Sequence, residues 1–208
     1  GRTHWSDTNR VMLRNRRIGC SVSGVAQFIT NRGLNELREW LEEGYTTIRE
    51  WDKVYSDWFA IPKSIKTTSV KPSGTVSLLA GSTPGLHYPE SRFYIRRIRL
   101  SVNSDLVEPL KKAGYKIEPA FGSEDSTLVV EIPVDVGEGI RTAEELSIWE
   151  QFSLASFLQR HWADNQVSCT VTFNPEKEGD EIPNVLNYFQ YHLKGISLLP
   201  RHDWGAYP

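Results

Sequence analysis

Apolar residues recur at spacings of three and four through Leu34, Leu37, Leu41, Tyr45, Ile48, Trp51, Tyr55 and Trp58, which predicts a long amphipathic helix. Gly24 to Thr30 reads as the start of a helix just before it. Gly44 is the expected point of bending, and Pro62 lies beyond the end. Trp40, Trp51 and Trp58 follow helical spacing, so this stripe is expected in the core and not as a base-stacking platform. Upstream, Asp7 to Arg14 predicts a short helix, Arg14 to Arg17 a basic segment, and Ile18 to Val22 a short strand of small and β-branched residues.

Beyond the long helix the period changes. Thr67 to Val70 predicts a strand that runs into Lys71-Pro72-Ser73-Gly74-Thr75-Val76-Ser77, with Val76 to Ala80 helical. Gly81, Pro84, Gly85 and Pro89 mark a long loop. Phe93 to Val102 and Thr127 to Val134 predict strands around a short helix, Asp105 to Ala113, with Ser104 as N-cap and Gly114 at its end. Thr142 and Glu145 form a capping-box pattern expected to open a deeply packed helix reaching about Trp162. Val167 to Phe173, Asn184 to Leu193 and Ile196 to Leu199 then predict strand, helix and strand. Strands alternating with helices give an α/β class. No repeat, low-complexity tract or linker interrupts residues 1–208, which are expected to form a single region with no separate second domain.

Composition narrows the function classes. The 208 residues are 39% hydrophobic and carry seven tryptophans, which excludes disorder. A net charge of -2 gives no bulk attraction to nucleic acid or to an anionic membrane. Arg92, Arg96, Arg97 and Arg99 are therefore expected to be solvated or salt-bridged along their strand. The two cysteines, Cys20 and Cys169, are far apart and support neither a disulfide framework nor a zinc site, so a reducing, cytosolic setting is expected. His4, His87, His161, His192 and His202 lack metal-ligand spacing. No apolar run of about 18 residues suggests a membrane span. The opening Gly1-Arg2-Thr3 and the closing Ala206-Tyr207-Pro208 read as internal sequence, so a longer parent protein is expected.

The best chemical signal is the strand-turn-helix from Lys71 to Ala80. A helix start leaves backbone N–H groups without partners, Gly74 allows close approach, and Ser73, Thr75 and Ser77 offer hydroxyls beside the Lys71 cation. These would suit a phosphate. The spacing is not that of a Walker motif, and the same residues also make an ordinary turn with an N-cap.

Three ordered blocks carry a family resemblance: Arg14 to Ser23-Gly24, Thr67 to Gly81 with Thr83-Pro84-Gly85-Leu86-His87, and Asp164-Asn165-Gln166-Val167-Ser168 leading into Thr170 to Phe173. Together they resemble the monomeric adenosylcobalamin-dependent (class II) ribonucleoside-triphosphate reductases. The resemblance implies the second half of a ten-stranded α/β barrel. It implies that Pro72, Ser73, Gly74, Thr75, Val76 and Ser77 hold the substrate's phosphates, with Lys71 and His87 as further candidates for the same cavity. It also implies a ribonucleoside triphosphate substrate, adenosylcobalamin as cofactor of the parent, and a thioredoxin-type reductant.

The departures from the family's catalytic pattern are as informative. No Asn-x-Cys-x-Glu arrangement and no C-terminal cysteine pair occur here, so no catalytic residue is assigned and the isolated stretch is expected to be inactive. Cys20 and Cys169 are both read as buried structural thiols. Gly195-Ile196-Ser197-Leu198-Leu199-Pro200 carries leucines where tyrosyl-radical relatives have a Tyr-Tyr relay. A glycyl-radical motif is not seen either. The rival reading is a non-catalytic phosphate-binding module, or a subunit that completes a reductase in trans.

Overall fold

A computed structural model describes residues 3–72 and 76–201. The chain divides into two compact units, one made of Gly1–Tyr88 with Ile140–Pro208 and the other of Pro89–Gly139.

In the first unit, α1 (Ser6–Asn15) and α2 (Val25–Trp58) precede a short α3 (Val76–Leu79). α2 is helical throughout except at Gly33, whose φ of 82° is one that side-chain-bearing residues rarely adopt. The break is therefore at Gly33 and not at Gly44. Gly44 stays helical with Trp162 packed over it, where a Cβ would meet the indole at 3.4 Å.

The aromatic stripe is not core. Trp40, Trp51 and Trp58 are 64%, 48% and 70% exposed, and Trp51 stacks on Tyr55 at the surface. The inward row runs Leu37, Leu41, Asp52, Ser56, with Tyr45 and Ile48 packed against the core between them. Polar side chains can hold the last two inward positions because their partners come with them. Asp52 accepts from the Ser64 amide at 2.8 Å and its hydroxyl at 2.7 Å, while Arg16 lies 3.5 Å away. Arg16 also donates to Ser56 Oγ at 2.6 Å and to the Pro62 carbonyl at 3.0 Å.

The expected Thr142 capping box exists, but it closes only a single 3-10 turn, Ala143–Glu145. A second box, Ser147 with Glu150, opens the helix itself, α5 (Ile148–His161). After it come β4 (Thr170–Phe173), α6 (Pro175–Glu178), α7 (Ile182–Phe189) and β5 (Ser197–Pro200). β4 and β5 pair in parallel. The predicted strands at 18–22 and 67–70 reduce to single parallel bridges, Cys20 with Thr68 and Val70 with Val167. All four segments thus run in one direction, in the order 18–22, 67–70, 167–173 and 197–200. Phe152, Leu158, Val70, Val167, Val171 and Phe189 form the core on this array.

The second unit is antiparallel. β1 (Phe93–Ser101) and β2 (Lys116–Pro119) flank β3 (Thr127–Asp135), and α4 (Val107–Lys112) follows β1 in the chain. Leu106, not Ser104, occupies the N-cap of α4. Along β1 exposed and half-buried residues alternate, as a sheet with one wet face requires. The arginines include ion pairs: Arg92 with Asp135 at 3.2 Å and Glu138 at 3.2 Å, and Arg97 with Glu118. A mixed α/β class holds for the chain as a whole. No helix among the described residues is long and apolar enough to cross a membrane.

Candidate functional site

Because the four segments are parallel, their carboxyl ends share one edge, and in parallel α/β arrangements ligands gather at that edge. Val70 leads there directly into Lys71 and Pro72, which are both exposed. The Lys71 amide donates to Ser21 Oγ at 2.9 Å, which fastens the start of the turn to the neighbouring segment. Ser73, Gly74 and Thr75 lie outside the described residues. On the far side Val76 is exposed and Ser77 buried, and the Ser77 carbonyl accepts from the Ala80 and Ser82 amides at 3.1 and 3.0 Å. With four residues, α3 has little macrodipole.

The loop that follows presses back on the turn. Gly85 adopts φ +53°, and a Cβ built on it would stand 2.5 Å from the Lys71 carbonyl oxygen. Only glycine permits that approach. The loop is also tied to the start of α2. Gly24 N–H donates to the Thr83 carbonyl at 2.9 Å, the Thr83 amide to Gln27 Oε1 at 2.9 Å, and Gln27 Nε2 to the Gly81 carbonyl at 3.0 Å. Thr83 is 2% exposed, and its hydroxyl has no hydrogen-bond partner among the described residues.

His87 is half-buried, with Nδ1 3.3 Å from the Pro84 carbonyl and Nε2 accepting from the Thr170 amide at 3.3 Å. Accepting at Nε2 leaves the proton on Nδ1, where it donates to Pro84. Burial lowers its pKa against the opposing hydrogen bond to Pro84, which favours the neutral ring. One ring nitrogen is thus committed to the loop at Pro84 and the other to β4 at Thr170, which ties the loop to the parallel array.

The thiols part company. Cys169 is buried, and burial pushes its pKa up to about 12. Cys20 is exposed, contrary to the expectation for a structural thiol, because its segment has a strand neighbour on only one side, at Thr68. Alkylation of the native chain by iodoacetamide at pH 8 is expected to modify Cys20 and spare Cys169 until denaturant is added; mass mapping of the adducts checks this.

Sequence reasoning missed the framework beneath the site. Asp164 accepts from the Thr67 amide at 2.9 Å, the Thr67 hydroxyl at 3.2 Å and the Tyr45 hydroxyl at 3.0 Å. Burial raises its pKa, but these hydrogen bonds and Arg49 outweigh burial and leave the net shift downward. Asn165 bridges the Ile18 and Thr68 carbonyls at 2.9 and 2.8 Å. Trp162 Nε1 donates to the Ser69 carbonyl at 2.9 Å. Arg201 gathers the Ala143 and Thr172 carbonyls at 2.7 and 3.1 Å. The Asp164-Asn165 pair stands inside a resemblance block, and an Asp-Asn step before a strand is the one signal that could have suggested such a role. No group of three potential metal ligands occurs among the described residues.

No protein-family model matches the chain. Over 204 residues it is 60% identical to the adenosylcobalamin-dependent ribonucleoside-triphosphate reductase of Euglena gracilis, an alignment covering 98% of this chain and 28% of that protein. It is 37% identical over 225 residues to the protein of the same name from Levilactobacillus brevis, covering 94% of this chain and 30% of that one. A crystal structure of a B12-dependent (class II) ribonucleotide reductase superposes with a TM-score of 0.80 at 32% identity, over 96% of this chain and 32% of that one. The chain therefore spans less than a third of the length of these relatives.

Proposed function

This chain belongs to the adenosylcobalamin-dependent (class II) ribonucleotide reductases, and from that premise we propose that it supplies the substrate-phosphate turn and part of the α/β barrel of such an enzyme. The parent reduces ribonucleoside triphosphates to 2′-deoxyribonucleotides by thiyl-radical chemistry in the cytoplasm. A thioredoxin-type dithiol restores its electrons. The observation that carries the reading is the placement of Lys71 and Pro72 at the shared carboxyl edge, with Gly85 held against the Lys71 carbonyl.

In this reading the turn that follows Pro72 presents backbone amides and hydroxyls to the triphosphate, and Gly74 lets an oxygen approach the chain. Lys71 adds long-range attraction. His87 holds the loop and takes no part in proton transfer, because neither nitrogen is free. Adenosylcobalamin, when bound, supplies the initiating radical. The residues here are compatible with that source: Leu198 and Leu199 in β5 have no redox chemistry and cannot relay a radical from a distant subunit. Full-length reductase assayed without adenosylcobalamin is expected to be inactive; undiminished turnover would remove the assignment.

The turn itself is tested by Gly74→Val in the full-length enzyme. The substitution is expected to raise the KM for substrate by a factor equivalent to about 1–3 kcal/mol, the scale of charge-assisted hydrogen bonds to an anion. Adenosylcobalamin affinity should be unchanged. A wild-type KM would count against the cradle.

A further inference from the structure

The opposite edge of the same parallel array holds a second concentration of positive charge. Lys66 immediately precedes the 67–70 segment, Asp164 lies just before 167–173, Lys194 before β5, and Arg17 before 18–22. These residues therefore meet at the amino ends of the strands. A four-residue strand spans roughly 13 Å, so the two edges are separate places. A cavity of about 380 Å³ opens here, and Tyr45, Lys66, Arg160, Asp164, His192 and Lys194 are among the residues lining it.

Two features make this more than a basic surface. Lys66 Nζ donates to the Asp164 carbonyl oxygen at 2.7 Å, and Lys194 Nζ donates to that same oxygen. Two ammonium groups on one neutral acceptor repel each other, and each keeps further N–H donors unused by that bond. Consistent with this crowding, burial and the charge of Lys66 lower the pKa of Lys194, with Arg17 adding to the effect and Asp164 opposing it. The one carboxylate in the lining, Asp164, is turned to the Thr67 amide and the Tyr45 hydroxyl. His161, also in the lining, is paired with Glu42 at 2.7 Å. Lys66, Lys194 and Arg160 against Asp164 leave the cavity with surplus positive charge.

We propose that the cavity between Lys66, Arg160 and Lys194 is an anion site for a phosphate group, distinct from the turn at Pro72 to Ser77. An oxyanion there would accept from both ammonium groups and relieve their mutual repulsion. Two of the three donors, Lys66 and Lys194, are flexible point charges that can each turn to a separate oxygen, and Arg160 adds a guanidinium, a set that suits the several oxygens of a tetrahedral phosphate.

The test is calorimetric titration of full-length reductase with inorganic pyrophosphate at pH 7 and fixed ionic strength. The variants are Lys66→Met/Lys194→Met, the more conservative Lys194→Gln, and Gly74→Val. The expected result is a binding event that persists in Gly74→Val, weakens at least tenfold in Lys194→Gln, and disappears in the double variant. Circular dichroism verifies folding, and Lys194→Gln at its exposed position serves if the double variant does not fold. Loss of all pyrophosphate binding in Gly74→Val, or an isotherm that Lys194→Gln leaves unchanged, overturns the proposal. An isotherm in which the lysine variants remove every event supports this site and counts against the turn as a phosphate cradle, so the two readings fail separately.

Discussion

Gly85→Ala is expected to destabilise the full-length protein by ~2–5 kcal/mol and to raise the KM for substrate together with it. Two costs combine. A non-glycine residue held at φ +53° costs roughly 1–2 kcal/mol. The new Cβ would also lie 2.5 Å from the Lys71 carbonyl oxygen, a contact with backbone that no rotamer change can relieve. Overpacking of that kind costs about 1–3 kcal/mol. The chain can yield only by moving Lys71 or the loop, and the loop is tied to α2 through Thr83 and Gln27. The effect should therefore reach the turn, and denaturant unfolding paired with steady-state kinetics separates the two components. Wild-type stability would mean that the close approach does not exist in solution.

Asp52→Ala is the second large effect, with an expected loss of ~3–5 kcal/mol, the range for breaking a buried pair by removing one partner. The Asp52 carboxylate is 4% exposed and accepts from both the amide and the hydroxyl of Ser64, beside Arg16. Its removal leaves the Ser64 donors buried and unpaired and takes away the counter-charge of Arg16. A shift in the urea midpoint with an unchanged slope is the expected signature. Asp52→Asn should recover part of the loss, since the amide oxygen can still accept one Ser64 bond. A change below about 1 kcal/mol for the alanine variant would contradict the geometry.

The same cluster shows why the long helix was only half legible. A hydrophobic count follows Trp51, Tyr55 and Trp58, yet the inward row passes through Asp52 and Ser56, whose burial depends on Arg16 and Ser64 at distant positions in the chain. Local pattern carries no trace of a partner supplied from elsewhere. Gly33 and Gly44 could not be ranked for a similar reason: one supplies a positive φ, the other room for Trp162, and both look alike in sequence. The Thr142 box was legible as chemistry but not as a helix start, because Ser147 and Glu150 repeat the pattern five residues on. β2, four residues with alternating charge, gave no strand signal at all.

At the site, the parallel segments were legible as short β-branched runs, and the three blocks that carried the resemblance converge on them. Arg16 clamps α2, Asp164 and Asn165 bind the segments at one end, and Lys71 leaves at the other. What stayed hidden was contact. The closeness of Gly85 to Lys71, the two hydrogen bonds that occupy His87, and the exposure of Cys20 all depend on residues far apart in the chain.

Hydrogen–deuterium exchange on the full-length reductase reads the central claim at the backbone itself. Peptides covering Thr68 to Leu79 should gain protection when a ribonucleoside triphosphate is added, while peptides from β1 to β3 stay unchanged. Exchange in the turn that is identical with and without the nucleotide would contradict the account.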